Sequence, residues 1–466
     1  MTAKHSQPSS AKPFGWTFLS PLLIGSSLNP INSSLIATGL VGIGLDFHEG
    51  PATTASLVSV LYLCSAVMQP TMGKFAQVFG ARRVFLSGVT ILFVAGVIGT
   101  LAPAFGFLVL SRALIGVGTS AAFPTAMALI RQRADAMKTG VPSRVLGNFS
   151  IASQITTVIG LPLGGILTGA FGWRALFFVN VPLALVALVL TLVGVPKDAP
   201  SAPGNRQPLF SLIDVPGILL FAGTVASLLL FLQQLDHPDW LLIAVAVVLG
   251  TALILWEQRA ATPLIDVRML ARNHGLFRTY LRQFLVALGL YTALYGTSQW
   301  MEGAAHYTAS QVGLILLPMS AISIVIARLV SSRGLVRWPL VISGIAFLAT
   351  GVVMLSIVHT SSVWALILMS LLFGVGNGFS GFANQAVLYV QTPAAEIGVA
   401  SGLYRTFAYF GAIFSSSLVS IAFGSAATDA GFHVIAWAVV LIGLGVLLLT
   451  ILDRKIPART TTESTT

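Results

Sequence analysis

Apolar residues fall along this chain in long runs, separated by short polar, basic or glycine- and proline-bearing segments. A membrane-spanning helix needs about 20 predominantly apolar residues. The runs lie near 15–43, 53–72, 84–102, 105–130, 147–170, 175–193, 213–232, 240–256, 283–301, 309–327, 338–357, 362–389, 398–423 and 432–452, which predicts fourteen helices. The least secure pair is 213–232 and 240–256, joined by Gln233 to Asp239. Were that pair a soluble loop, the chain would have twelve spans and a long central insertion.

Composition agrees with this class. Hydrophobic residues make up 56% of the 466 residues and charged ones 8%, with a mean hydropathy of +0.90, which is the signature of an all-α polytopic membrane protein embedded in a lipid bilayer. The net charge of +11 does not point to nucleic acid, because Lys and Arg sit in short loops and not on one basic face. Of 25 basic residues, 22 fall on the side that the count gives to the N-terminus, so the positive-inside rule predicts that both termini are cytoplasmic. The polar stretch Met1 to Pro13 has no cleavable apolar region after it, and no signal peptide is predicted. A single cysteine, Cys64, excludes an intramolecular disulfide, and no His, Cys or carboxylate spacing suggests a metal or an enzyme.

The chain also repeats itself. Lys74, Gly80 and Arg83 recur 254 residues later as Arg328, Gly334 and Arg337, and Ile115-Gly116-Val117-Gly118 recurs 258 residues later as Phe373-Gly374-Val375-Gly376. Two six-helix halves follow from this, 14–195 and 259–453, with a linker and an extra helix pair (196–258) between them and tails at 1–13 and 454–466. Repeated halves that face each other are the frame of alternating-access transporters, whose substrate site lies near the bilayer midplane.

Between Gly147 and Val193 the chain reads Gly160-Leu161-Pro162-Leu163-Gly164-Gly165, then the turn Phe171-Gly172-Trp173-Arg174, then Phe177-Phe178-Val179-Asn180-Val181-Pro182. That order resembles the major facilitator superfamily, and within it the fourteen-span drug:proton antiporter branch. The loop Gly73-Lys74-Phe75-Ala76-Gln77-Val78-Phe79-Gly80-Ala81-Arg82-Arg83 is similar to that superfamily's Gly-x-x-x-Asp-Arg-x-Gly-Arg-Arg. Both glycines and the basic pair are present, but Gln77 and Val78 stand where the family has Asp and Arg, so the charge network that locks the halves in relatives must be weakened or rebuilt. Arg112, Gly116 and Gly118 fit the family's Arg-x-x-x-Gly-x-Gly, and Gly160, Pro162, Gly164 and Gly165 resemble its antiporter motif, with the proline displaced by one.

Several polar groups are predicted at membrane depth. Arg112 lies about 10 Å below the outer surface, where it faces a water-filled cavity or snorkels outward. Asn29 and Asn32 stand where fourteen-span relatives carry an aspartate, and are expected to line the cavity, with interhelical packing as the alternative. Gln154, Tyr291, Tyr295, Gln299, Asn377, Asn384, Gln385, Tyr404 and Tyr409 suit an amphipathic organic substrate, which needs apolar area and a few orienting hydrogen bonds. Arg405 comes three positions early for the family's basic residue, and reads equally as an anchor at the inner surface. Glu302 shares a helical face with Tyr291 and Tyr295, and is the best-placed carboxylate for protons or cationic substrates, unless the helix ends at Trp300 and leaves it in a loop.

The resemblance implies a monomeric major facilitator fold in the cell (cytoplasmic) membrane that exports small amphipathic compounds, drugs included, by proton antiport. The proton gradient would be the energy source and no cofactor is implied. A dedicated exporter or facilitator of one endogenous metabolite, lipid or siderophore without strict proton coupling is the second expectation, favoured by the missing aspartates.

Overall fold

The computed structural model describes residues 14–198, 213–233, 238–424 and 426–459. The tails 1–13 and 460–466, most of the segment 196–208 and positions 234–237 of the loop expected between the extra helices lie outside the described residues. Among the described residues every regular element is helical, and one isolated β-bridge joins Leu335 to Arg459. The first half comprises α1 (Trp16–Leu35), α2 (Leu40–Phe47), α3 (Pro51–Phe79), α4 (Ala81–Thr100), α5 (Phe105–Ser120), α6 (Ala122–Ala136), α7 (Ser143–Phe171), α8 (Ala175–Phe178) and α9 (Asn180–Gly194). The extra pair is α10 (Val215–Gln233) and α11 (Trp240–Glu257), and a short α12 (Val267–Arg272) leads into the second half. That half comprises α13 (His274–Gly303), α14 (Ala309–Arg333), α15 (Arg337–Leu355), α16 (Val363–Gln391), α17 (Ile397–Phe423) and α18 (Asp429–Leu452).

Eleven helical stretches among the described residues are long and apolar enough to cross a membrane; α5 with α6 count as one, as do α8 with α9. Local sequence sets where the helices begin and end. Pro51 opens α3, where its missing N–H costs nothing. Thr308 and Gln311 form a reciprocal capping box on α14, and the Ser362, Thr428 and Asp239 side chains accept from the first turns of α16, α18 and α11. Gly80 and Gly334 end α3 and α14 with φ of 98° and 58°, a backbone that only glycine adopts cheaply. These are the two glycines that the sequence repeat matches.

Lipid offers no hydrophobic drive between helices, so close packing and interhelical hydrogen bonds hold the bundle together. The repeat shows how. A β-carbon at Gly116 would stand 2.9 Å from the Leu61 carbonyl of α3, and one at Gly118 would stand 2.6 Å from the Gly88 carbonyl of α4. In the second half Gly374 lies against Met319 of α14, and Gly376 against Phe347 of α15. Each half therefore uses its glycine pair to bring the fourth long helix onto the second and third.

The extra pair covers a seam between the halves. Phe221, Val225 and Leu229 of α10 pack with Ala66 of α3 and with Leu403, Tyr404 and Ile413 of α17, and the Ser417 hydroxyl donates to the Leu232 carbonyl. α11 lies outside α10 and leaves Leu241, Val247, Val248 and Ile254 exposed, as a lipid-facing helix must. The start of α1, the end of α9 and the end of α6 lie together, with Gly194 against the Thr17 carbonyl and Arg133 over the Phe18 ring. On the same side the chain's last described residues pair with the α14–α15 turn, Val336 N–H donating to the Ala458 carbonyl at 3.1 Å. We call this the terminal side and the opposite one the distal side.

Candidate substrate pathway

The first half carries a polar centre built on α1. Asn32 and Asn180 of α9 exchange side-chain hydrogen bonds, Nδ2 of Asn32 to Oδ1 of Asn180 at 2.6 Å and the reverse at 3.0 Å. Asn29 donates to Ser65 Oγ on α3 (2.9 Å) and Thr119 Oγ1 on α5 (2.8 Å), and accepts from the Tyr409 hydroxyl of α17 at 2.6 Å. Both asparagines are buried and their amides are occupied by other helices, which corrects the expectation that they line a cavity. Their shared turn faces neighbouring helices and not open space.

Arg112 is also corrected. Its side chain is 1% exposed, with Nε donating to the Leu57 carbonyl of α3 at 2.9 Å and Nη1 to the Asn32 carbonyl of α1 at 3.2 Å, while Nη2 has no partner. It neither snorkels nor faces a cavity, because helix carbonyls close at hand take up two of its donors. A carbonyl keeps a second lone pair free for such a bond even inside a helix.

Among the cavities between the halves, two are lined by the tyrosines of α13. The one nearer the terminal side, about 160 Å³, is lined by Ser150 and Ser153 of α7, Tyr291 of α13, Asn377 and Gln385 of α16, and Tyr404 and Arg405 of α17. The distal one, about 470 Å³, is lined by Ser33 of α1, Ser59 and Tyr62 of α3, Tyr295 of α13, and Ser416 and Ser420 of α17. Four tyrosines stand where the two approach each other. Tyr291 and Tyr295 have ring centroids 5.6 Å apart, and Tyr62 and Tyr409 5.8 Å. Among the described residues no Asp or Glu lines either cavity.

The halves meet closely on the terminal side. A β-carbon at Gly73 would lie 2.5 Å from the Gly398 backbone, so α3 and the start of α17 touch without side chains between them. Gln77, where the family motif has its aspartate, donates to the Ala395 carbonyl at 2.7 Å, replacing a charged tie with a neutral one. Thr406 donates to the Ala66 carbonyl and Tyr389 to the Met127 carbonyl, both at 2.7 Å. Lys74 reaches the linker, with Nζ donating to the carbonyls of Thr262 (3.2 Å) and Pro263 (2.8 Å). The backbone amides of Arg82 and Arg83 both donate to the Asp198 carboxylate at 3.0 Å, an anion at the positive end of α4. On the distal side the larger of the two tyrosine-lined cavities separates the halves.

The profile of the Major Facilitator Superfamily matches residues 22–416. The chain belongs to this superfamily. Among its relatives is YwoD of Bacillus subtilis, an uncharacterized MFS-type transporter, 32% identical over 93% of this chain and 96% of that protein. The multidrug efflux pump LfrA of Mycolicibacterium smegmatis is 27% identical over 88% of this chain and 81% of its own. In fold, the proton:xylose symporter XylE is similar with a TM-score of 0.64 at 14% identity, covering 96% of this chain and 98% of that one. The protein is thus a multi-pass membrane transporter and not an enzyme.

Against the facilitator frame, the sequence-predicted residues divide. Tyr291, Tyr295 and Asn377 come together at the cavities, Asn377 with its Nδ2 3.1 Å from Ser323 Oγ. Asn384 does not join them: it is fully buried, accepts from Arg282 Nε at 2.7 Å and donates to Gln283, while its neighbour Gln385 takes the cavity position. Gln299 and Glu302 lie further along the tyrosine face of α13, exposed and beyond the distal cavity's lining. α13 runs on to Gly303, so Glu302 is helical. The side chains of Gln154 and Pro162 lie outside the described residues.

Of the α7 glycines, Gly160 abuts Ser34, and Gly164 would place a β-carbon 2.9 Å from the Leu35 carbonyl, so both seat α7 on α1. Gly165 faces open space and makes no such contact, which removes it from the packing motif. Two residues of the candidate site were left open or overlooked in the sequence. Arg405 lines the terminal-side cavity, half-exposed, with its guanidinium carbon 4.1 Å from the Phe123 ring centroid of the first half. Its place eight residues inside α17 was the available sign. Asn180 was visible only as part of the Phe-Phe-x-Asn-Val-Pro run.

Proposed function

We propose that this facilitator is an exporter of small amphipathic organic compounds that exchanges them for protons across the cytoplasmic membrane, acting as a monomer. One observation carries the reading: two cavities rich in tyrosine, hydroxyl and amide groups lie between repeated halves that are closed on the terminal side and parted on the distal side. An amphipathic solute needs such apolar faces with a few orienting polar groups. The efflux role of LfrA points the same way. In this reading α1, α7 and α13 cross the membrane beside the eleven most apolar stretches, making fourteen spans in halves at 14–195 and 259–453, and both termini are cytoplasmic. Everted vesicles test it. Addition of a transported compound should dissipate a preformed pH gradient in vesicles containing the protein, and a gradient that never responds defeats proton exchange.

A second reading is supported by the cavity linings, which hold no carboxylate to carry a proton. Here the protein is a dedicated exporter or facilitator of one endogenous metabolite, lipid or siderophore without strict proton coupling. A susceptibility panel in cells stripped of their main efflux systems separates the two. Resistance to several unrelated compounds supports broad efflux, and an unchanged panel supports the dedicated carrier.

A further inference from the structure

We infer that the solute held between the halves is an organic anion, and that Arg405 is its charge-recognising residue. The inference rests on the reading of the cavity as a substrate site. It follows from a charge inventory of the two cavity linings. Among the described residues Arg405 is the only formally charged side chain lining either cavity, and none of their carboxylates forms an ion pair with it. Its guanidinium is held over the Phe123 ring, which fixes its place without neutralising it, and Nε has no hydrogen-bond partner. A partly buried guanidinium that no carboxylate neutralises, at the wall of a low-dielectric cavity, attracts an anion and repels a cation.

The surrounding groups agree. Tyr291, Tyr404, Asn377 and Gln385 all carry O–H or N–H donors, which an anion needs in place of its lost water, and no acceptor-only carboxylate competes with them. A second positive charge reinforces the field. Arg112, buried in the first half, donates only to carbonyl oxygens and has no acidic partner among the described residues. Beyond the tyrosines, the distal cavity continues with serine and tyrosine hydroxyls and no charge of either sign. An anion therefore meets donors along both tyrosine-lined cavities, whereas a cation meets an uncompensated guanidinium. The class is a compact aromatic or aliphatic carboxylate, sulfonate or phenolate, sized for an apolar body between tyrosine rings.

The test uses a matched pair of probes, naphthoate and naphthylmethylammonium, with purified full-length protein in lipid nanodiscs. Naphthoate should bind, and the ammonium should bind at least about tenfold more weakly. Arg405→Gln should weaken naphthoate by about tenfold or more, and Arg405→Lys, which keeps the charge, by less. Should Arg405→Gln not fold, Asn377→Asp sets a carboxylate in the same cavity and must weaken naphthoate while strengthening naphthylmethylammonium. Tighter binding of the ammonium to the wild type, or an unchanged naphthoate Kd in Arg405→Gln, overturns the anion inference and leaves the transporter reading standing. Binding of neither probe counts against both.

Discussion

The two halves each carry an arginine at membrane depth on the interior side of a helix, and they treat it in opposite ways. Arg112 is enclosed by α1 and α3 and bonded to carbonyl oxygens. Arg405 stands half-exposed at a cavity wall and leans on a ring from the other half. The difference lies in what faces the guanidinium. A charge surrounded by its own half is a fixed part of that half's packing, whereas a charge at the seam can respond to what enters between the halves. Depth in the membrane alone does not distinguish them.

If the contrast is right, Arg112→Ala should cost the most stability, about 2–5 kcal/mol, because it empties a large, fully enclosed site; thermal unfolding of purified protein in detergent reads this directly. Gly164→Leu should follow, near the upper end of about 1–3 kcal/mol, since its side chain would meet the α1 backbone. Gly165→Leu, one residue on and facing open space, should unfold like the wild type. Equal losses in the two glycine variants would show that α7 is not seated as described. Tyr409→Phe removes one buried hydrogen bond to Asn29 across the seam, and should lower stability by about 1 kcal/mol. The smallest stability change belongs to Arg405→Gln, within about 0.5 kcal/mol, together with the largest loss of substrate binding. A strongly destabilised Arg405→Gln would erase the distinction between the two arginines.

The order of helices, the internal repeat and the glycines that end α3 and α14 were all legible in the sequence, because hydropathy runs and positive-φ turns are local properties. Rotation about a helix axis was not. Asn384 and Gln385 are adjacent, yet one holds Arg282 inside the second half and the other lines the cavity, a difference of about 100° that only the partner helices decide. Asn32 was placed at the correct depth but its partner Asn180 is 148 residues away, and nothing local announces the pair. Arg405 was left evenly between a family residue and a surface anchor for the same reason: its depth was ambiguous until the α3–α17 contact at Gly73 and Gly398 set where α17 begins its crossing. Glu302 was chosen correctly as a member of the tyrosine face, but the face extends past the cavity before it reaches that carboxylate.

Lys74 belongs to the first half, yet its ammonium is spent on two carbonyls of the strand of chain that leads from the extra helices into the second half. When the terminal side opens, the ends of α3 and α17 must separate. Either those two bonds break, or residues 262 and 263 travel with the first half and draw α10 and α11 along the seam. In the first case the lysine sets a threshold for opening; in the second the extra pair limits its amplitude. Seen this way, α10 and α11 are the molecule's check-rein, and shortening the segment between α11 and α12 would narrow the stroke without touching a cavity residue.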